Sequence, residues 1–291
     1  RAEKDRKIFE QLAERRALHE ERDRQRKAQE ERERAIEADR QSYAQMEADS
    51  RERRRAEFLN ARSAKEIVFG PNTTVLTQTL AAAMRGQLSP GDEIVVTHAD
   101  HESNIGPWRR LEEFGIVIKV WPFDRESLSL RLEDLEPLMT ERTRLVCVHH
   151  VSNILGQVNP IKDYAAFVHA RGARICVDGV AYAPHRAIDV QDWDVDYYIF
   201  SLYKCYGPHV AIMYGKYEHL AELDGLYHYF YGKDKVPAKL EPGNANYELA
   251  FSTEGVVAYL AELGAQMIVS PDCNPDVIAA TKAAGMASYP G

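Results

Sequence analysis

The sequence contains no apolar run approaching the roughly 20 residues that a membrane-spanning helix requires. Its first residues also lack the apolar stretch of a secretory leader. No membrane partner is therefore expected, and a cytoplasmic location is the default. Cysteine is scarce as well: Cys147, Cys176, Cys205 and Cys273 show neither CxxC nor Cys/His ligand spacing, so no metal site is expected. Cys147 and Cys176 lie in apolar runs and read as small buried hydrophobes. An excess of positive charge is missing too. The net charge is -8, whereas a general nucleic-acid binder needs a basic surface to displace counterions, so no nucleic-acid partner is expected. What remains is ordinary for a globular protein: 45% hydrophobic and 28% charged residues, enough for a real core.

Glycine and proline are absent from residues 1–55, a segment made almost wholly of Arg, Glu, Lys, Gln, Asp and Ala. These residues favour helix, and Glu20/Arg24, Asp23/Lys27, Glu30/Arg34 and Glu47/Arg51 have the supportive i,i+4 spacing. Ile8, Leu12, Leu18 and Ile36 are too sparse for sustained heptads. The expectation is a long, charged, solvated helix with weak coiled-coil character.

From Ile67 the texture changes to short apolar runs at Glu66–Phe69, Glu93–Thr97, Ile116–Trp121, Arg144–His149, Arg174–Asp178, Tyr197–Ser201 and Val210–Tyr214. Helix-like segments lie between several of them, at Thr74–Arg85, Asn104–Glu113 and Ile161–Arg171. Strands buried on both faces and separated by helices predict an α/β fold with a mostly parallel sheet. In such sheets ligands gather where strands end and loops begin.

Three such ends carry chemistry-bearing residues. Phe-Gly-Pro-Asn-Thr-Thr (69–74) follows one run and opens a helix, where free N–H groups hold phosphate; an ordinary N-cap accounts for it equally well. The run Arg174–Asp178 ends in a carboxylate that could ligate a metal, cap a helix or pair with a cationic ring nitrogen. The next ends in Ser201-Leu202-Tyr203-Lys204, beside Gly207-Pro208, where a lysine with a depressed pKa could serve as a nucleophile.

Taken together, these motifs resemble the class V aminotransferase superfamily, and most closely its cysteine desulfurase-like members. The resemblance is carried by Phe-Gly-Pro-Asn-Thr-Thr (69–74), Asp-His-Glu-Ser-Asn-Ile-Gly-Pro-Trp (100–108) and His-Val-Ser-Asn-Ile-Leu-Gly-Gln-Val-Asn-Pro (150–160). It continues through Val-Asp-Gly-Val-Ala-Tyr-Ala-Pro-His (177–185) and Ser-Leu-Tyr-Lys-Cys-Tyr-Gly-Pro-His (201–209), in the family's order. It implies the large domain of a type I pyridoxal 5'-phosphate (PLP) enzyme over residues 56–264, acting on an amino acid. By the same resemblance, Lys204 would form the Schiff base, Asp178 would pair with the ring nitrogen, and His101 would stack on the ring and serve as an acid or base. Asn153 would bond near the ring hydroxyl or the substrate carboxylate, while Thr73, Thr74 and Ser201 would hold the phosphate. The family usually forms homodimers with the site at the interface.

The sequence also departs from the family. Ala181 stands where a glutamine is common, Tyr203 where a histidine often precedes the lysine, and Asn244 where a threonine commonly reaches the partner's phosphate. The small carboxy-terminal domain is expected to be missing, together with its carboxylate-binding arginine and persulfide cysteine. Cys205, adjacent to Lys204, reads as a packed residue rather than that cysteine. Residues 265–291 instead resemble a strand–helix piece of the 2-keto-3-deoxy-sugar-phosphate aldolases, in which Lys282 is a surface charge. A chimeric or truncated chain is the resulting expectation, consistent with Arg1 as first residue. The rival reading is a non-catalytic interaction protein that assembles through its charged helix.

Overall fold

The structure is a computed structural model and describes residues 22, 26–27, 29–34, 37–38, 56–228, 232–243 and 246–269, with 247 and 263–269 described by backbone alone. The chain divides into two compact units, Arg1–Glu52 and Arg53–Gly291. In the first, every described residue is α-helical, and Gln29 Nε2 donates to Glu33 Oε1 at 3.2 Å along one face. The rest of the expected charged helix lies outside the described residues.

The second unit is built on a seven-stranded sheet: β1 (Ile67–Gly70), β2 (Glu93–Thr97), β3 (Val117–Trp121), β4 (Thr143–His149), β5 (Arg174–Asp178), β6 (Tyr197–Ser201) and β7 (Ala211–Gly215). Its order is β1-β7-β6-β5-β4-β2-β3. Strands β3, β2, β4, β5 and β6 run parallel, and β7 is antiparallel to both β6 and β1. The reversal at β7 follows from chain length, because residues 202–210 are too few for the dozen or more that a parallel crossover needs.

Side chains alternate across the sheet, so successive residues of one strand enter different cores. Ile94, Val96, Leu145, Cys147, Cys176, Tyr197 and Ile199 pack on one face with the helix α1 (Thr73–Met84), through its Leu76, Leu80 and Met84. Val95, Val146, Val148, Ile175, Val177, Tyr198 and Phe200 pack on the other. There they meet Ile161, Tyr164, Ala165 and Val168 from the helix later in the chain, Ile161–His169. Burial on both faces explains why these strands read as nearly continuous apolar runs. Each fully buried Leu or Ile contributes about 2 kcal/mol of transfer free energy.

Two expectations are corrected. Strand β3 is not buried on both faces: it closes the sheet as an edge, leaving Val117 and Val120 exposed. The helix expected over Asn104–Glu113 breaks into a 3-10 turn at Glu102–Asn104, a short α2 (Gly106–Arg109) and a second 3-10 turn at Arg110–Phe114. Pro107 accounts for the first of these breaks, since it lacks an N–H and is tolerated only in the first turn of a helix, so α2 begins at Gly106. Further helices follow in order: α3 (Leu132–Leu135), α4 (the Ile161–His169 helix), α5 (Tyr217–Glu222) and α6 (Tyr247–Val269). Helix α6 runs to Val269, into the first residues of the segment read as an aldolase-like strand–helix piece. Residues 270–291, including Cys273 and Lys282, lie outside the described residues. No described helix is long and apolar enough to cross a membrane.

Candidate active site

Because β2, β4, β5 and β6 are parallel, their carboxyl ends share one edge, and β1, antiparallel only to β7, ends there too. A cleft opens at that edge. Its lining includes Thr73, Thr74, His101, Asn153, Asp178 and Lys204, so six of the seven residues singled out in the sequence converge. Ser201, the seventh, lies just beneath the lining and is fully buried.

The turn at Asn72–Thr74 forms an N-cap and also leaves a helix N-terminus facing the cleft. Asn72 is the N-cap of α1, its side chain accepting from Val75 N at 2.9 Å. Thr73 is then locked downward: its N donates to Ser201 Oγ at 3.2 Å, and the two hydroxyl oxygens lie 2.6 Å apart. Thr74, exposed at the positive end of the helix, faces the cleft.

His101 is held by its own turn. Ser103 N donates to His101 Nδ1 at 3.1 Å, and Ser103 Oγ is 2.8 Å from the same atom. A backbone N–H can only donate, so the neutral ring carries its proton on Nε2. Asn153 is exposed on a loop folded by Ser152, whose Oγ accepts from Ile154 N and Leu155 N, and closed by a bridge between Val151 and Val158. Lys204 is exposed at the end of the 3-10 turn Leu202–Lys204 that follows β6.

Asp178, by contrast, is 7% exposed. Its Oδ1 accepts from Val180 N at 2.8 Å. Burial, and next the Asp100 carboxylate, push its carboxyl up to about 7; the Val180 N–H, His149 and Lys204 pull the other way. A cation beside Asp178 would offset that repulsion and favour its carboxylate form. The donor set suits PLP: an amine, a buried carboxylate for a ring nitrogen, an imidazole wall, and hydroxyls at a helix N-terminus for phosphate. Among the described residues no cluster of His, Cys, Asp and Glu could hold a metal ion.

Asp100, Ser103, His149, Val180 and Ala181 also line the cleft, as does Tyr203, whose ring stacks on His209 at 5.0 Å. Of these His149 was not singled out in the sequence, although it ends a strand just as Asp178 and Ser201 do. Cys205 is fully buried, and burial raises its thiol to about 12, so it is a packed residue. Cys147 and Cys176 are buried free thiols opposite one another on β4 and β5. Asn244 lies outside the described residues.

A family model described as aminotransferase class-V matches residues 19–271. Among curated proteins, the aminotransferase-like protein FGM3 of Gibberella zeae is 46% identical over 210 residues, 71% of this chain and 52% of that protein. The cysteine desulfurase-like protein ustD of Aspergillus flavus is 37% identical over 215 residues, 71% of this chain and 49% of that protein. The chain thus spans about half the length of these relatives. Among solved structures, the cysteine desulfurase CsdA of Escherichia coli superposes with a TM-score of 0.67 at 27% identity, over 78% of this chain and 64% of that one. The cystine C–S lyase C-DES, at 22% identity and a TM-score of 0.64, shares the fold.

Proposed function

Because the chain belongs to the aminotransferase class-V family, we propose that its cleft binds PLP through Lys204 and acts on an amino acid with desulfurase-like chemistry. The observation that carries this reading is the convergence of Lys204, Asp178, His101 and Thr74 on one cleft. PLP, when bound, supplies an electron sink for the carbanion formed at the substrate's α-carbon.

The chain's own residues would do the rest. Thr74, with the α1 N-terminus, would hold the phosphate, and Ser201 would fix Thr73 beneath it. Asp178 would anchor the ring nitrogen and keep it protonated, which its buried position favours once a cation is present. Lys204 would hold the cofactor covalently and, once freed, move a proton at the substrate α-carbon. His101, with its proton on Nε2, would cover the ring and pass that proton to or from the substrate. Asn153 would orient the substrate carboxylate or the ring hydroxyl. Since Cys205 is buried, a persulfide-forming thiol would have to come from elsewhere. We further propose a homodimer through the α/β unit, as the resemblance implies. A non-catalytic interaction protein is the weaker reading, because it gives no reason for these residues to share a cleft.

The test is to titrate PLP-loaded protein with L-cysteine and other amino acids while recording visible absorption and assaying alanine and sulfide. A substrate-dependent spectral change with alanine or sulfide release is expected from L-cysteine. No response to any amino acid from protein that does hold PLP would contradict the amino-acid reading.

A further inference from the structure

At the floor of the cleft lies a buried pair that the chemistry above leaves unused. His149 Nδ1 is 3.6 Å from Asp100 Oδ2, and their side chains are 5% and 2% exposed. Asp100 is fixed from its own loop: Oδ1 accepts from His101 N at 2.8 Å, and Oδ2 from Asn104 Nδ2 at 2.7 Å. His149 Nδ1 also lies 3.4 Å from Thr97 Oγ1, at the end of β2. His149 and Asp178 are register partners on neighbouring strands, and both line the cleft. Adjacent strands are about 4.8 Å apart, so the imidazole stands beside the carboxylate.

The charged surroundings of Asp178 can be named element by element. Asp100 comes from the loop after β2, His149 from β4, and Lys204 from the turn after β6. His101 lines the same cleft. The His150 ring is stacked on Tyr182 with its Nδ1 3.0 Å from Tyr198 OH, and its electrostatic neighbours are Arg186 and His149. Two buried carboxylates close together cannot both ionise without a compensating cation. Among the described residues, His149 is the imidazole that lies 3.6 Å from Asp100 and in register with Asp178.

We propose that His149 and Asp100 are paired positioning residues for Asp178: the imidazole offsets the Asp100 charge and so holds Asp178 as the carboxylate that a cationic ring requires. The purpose rests on the PLP reading, but the pairing is a property of the protein itself. With this geometry, the Asp100 charge raises the proton affinity of Asp178 and His149 lowers it. With His149 replaced by a neutral amide, only the Val180 N–H and Lys204 are left to oppose Asp100. Asp178 then keeps a proton at neutral pH and becomes a donor, unable to accept from a protonated ring nitrogen.

The experiment follows the Asp178 side-chain carbon by NMR in cofactor-free, aspartate-labelled full-length protein, with the resonance assigned by Asp178→Asn. His149→Gln is expected to move the titration midpoint of Asp178 up by about one pH unit, and Asp100→Asn down by a similar amount. The double variant should return close to wild type, which a merely structural role would not produce. At pH 7.5, His149→Gln should also weaken PLP binding about tenfold, and Asp100→Asn should restore it in the double variant. Unmoved midpoints, or two shifts of the same sign, would overturn the proposal. Should His149→Gln fail to fold, the downward shift in Asp100→Asn decides alone. Carboxyl shifts of opposite sign in a protein that never takes up PLP would contradict the cofactor reading and leave the pairing intact.

Discussion

Gly179 shows how closely the floor of the cleft is built. A Cβ placed there would lie 2.1 Å from Tyr198 Cε1 and 2.4 Å from its hydroxyl, and Tyr198 is itself fully buried between Trp193, His150 and Phe200. Only glycine lets the chain leave β5 directly after Asp178. Gly179→Ala should therefore cost about 1–3 kcal/mol through overpacking, read as a lowered denaturation midpoint in urea. It should also displace the Asp178 carboxylate and weaken PLP binding. An alanine variant with unchanged stability would contradict this packing account. Asp178, Lys204 and Ser201 were legible in the sequence because each polar residue interrupts or closes an apolar run. His149 was not, because a histidine at the end of such a run is as easily a satisfied core residue. Its meaning comes from Asp100, 49 positions away, and no local pattern pairs the two.

The elements themselves were mostly legible, and for a physical reason. β2, β5 and β6 coincide with apolar runs whose ends are set by charged residues, Asp178 and Arg174 among them. Elements went astray where local propensity met a special residue or a non-local position. Pro107 interrupts the expected helix, and β3 is more exposed because, among the described residues, it is an edge strand of the sheet. A further device lay beyond sequence reading altogether. Lys239 is completely buried, and its Nζ donates to Ala221 O and Leu223 O, each at 2.8 Å, satisfying carbonyls at the end of α5. Desolvation and then Lys233 lower its pKa, while Asp224 and Asp234 act the other way, and the two carbonyls supply the hydrogen bonds its burial requires. Lys239→Met keeps the stem and removes the donors. It should destabilise the protein by about 1–3 kcal/mol, with weakened hydrogen-exchange protection confined to α5 and the residues after it. Unchanged protection there would show that the carbonyls do not depend on Lys239.

At the scale of the molecule, acid stability should report the aromatic nest on the far side of β4. Burial, then Arg186 and His149, lower the His150 imidazole to about 3. The folded state thus binds this proton less well than the unfolded chain, so the contribution is complete above about pH 6.5 and is lost as pH falls from there toward 3. Asp178 works in the opposite sense, since its raised carboxyl favours the folded state as pH falls from 7 toward 3.8. Comparing wild type with His150→Gln isolates the first effect: the variant should show a shallower loss of stability between pH 6.5 and 4. An identical acid limb in both proteins would count against a buried neutral His150. The proposed dimer belongs to the same scale. Removing residues 1–50 should leave the mass measured by light scattering at two chains, and a monomer would assign assembly to the charged segment instead. The proposed activity requires Lys204 as the attachment point for PLP. The most direct measurement is borohydride reduction of the PLP-treated protein, followed by peptide mapping, beside a Lys204→Ala control. The account predicts one stable adduct, on the peptide carrying Lys204, and none at that site in the control. Label spread over surface lysines equally in both proteins would contradict it.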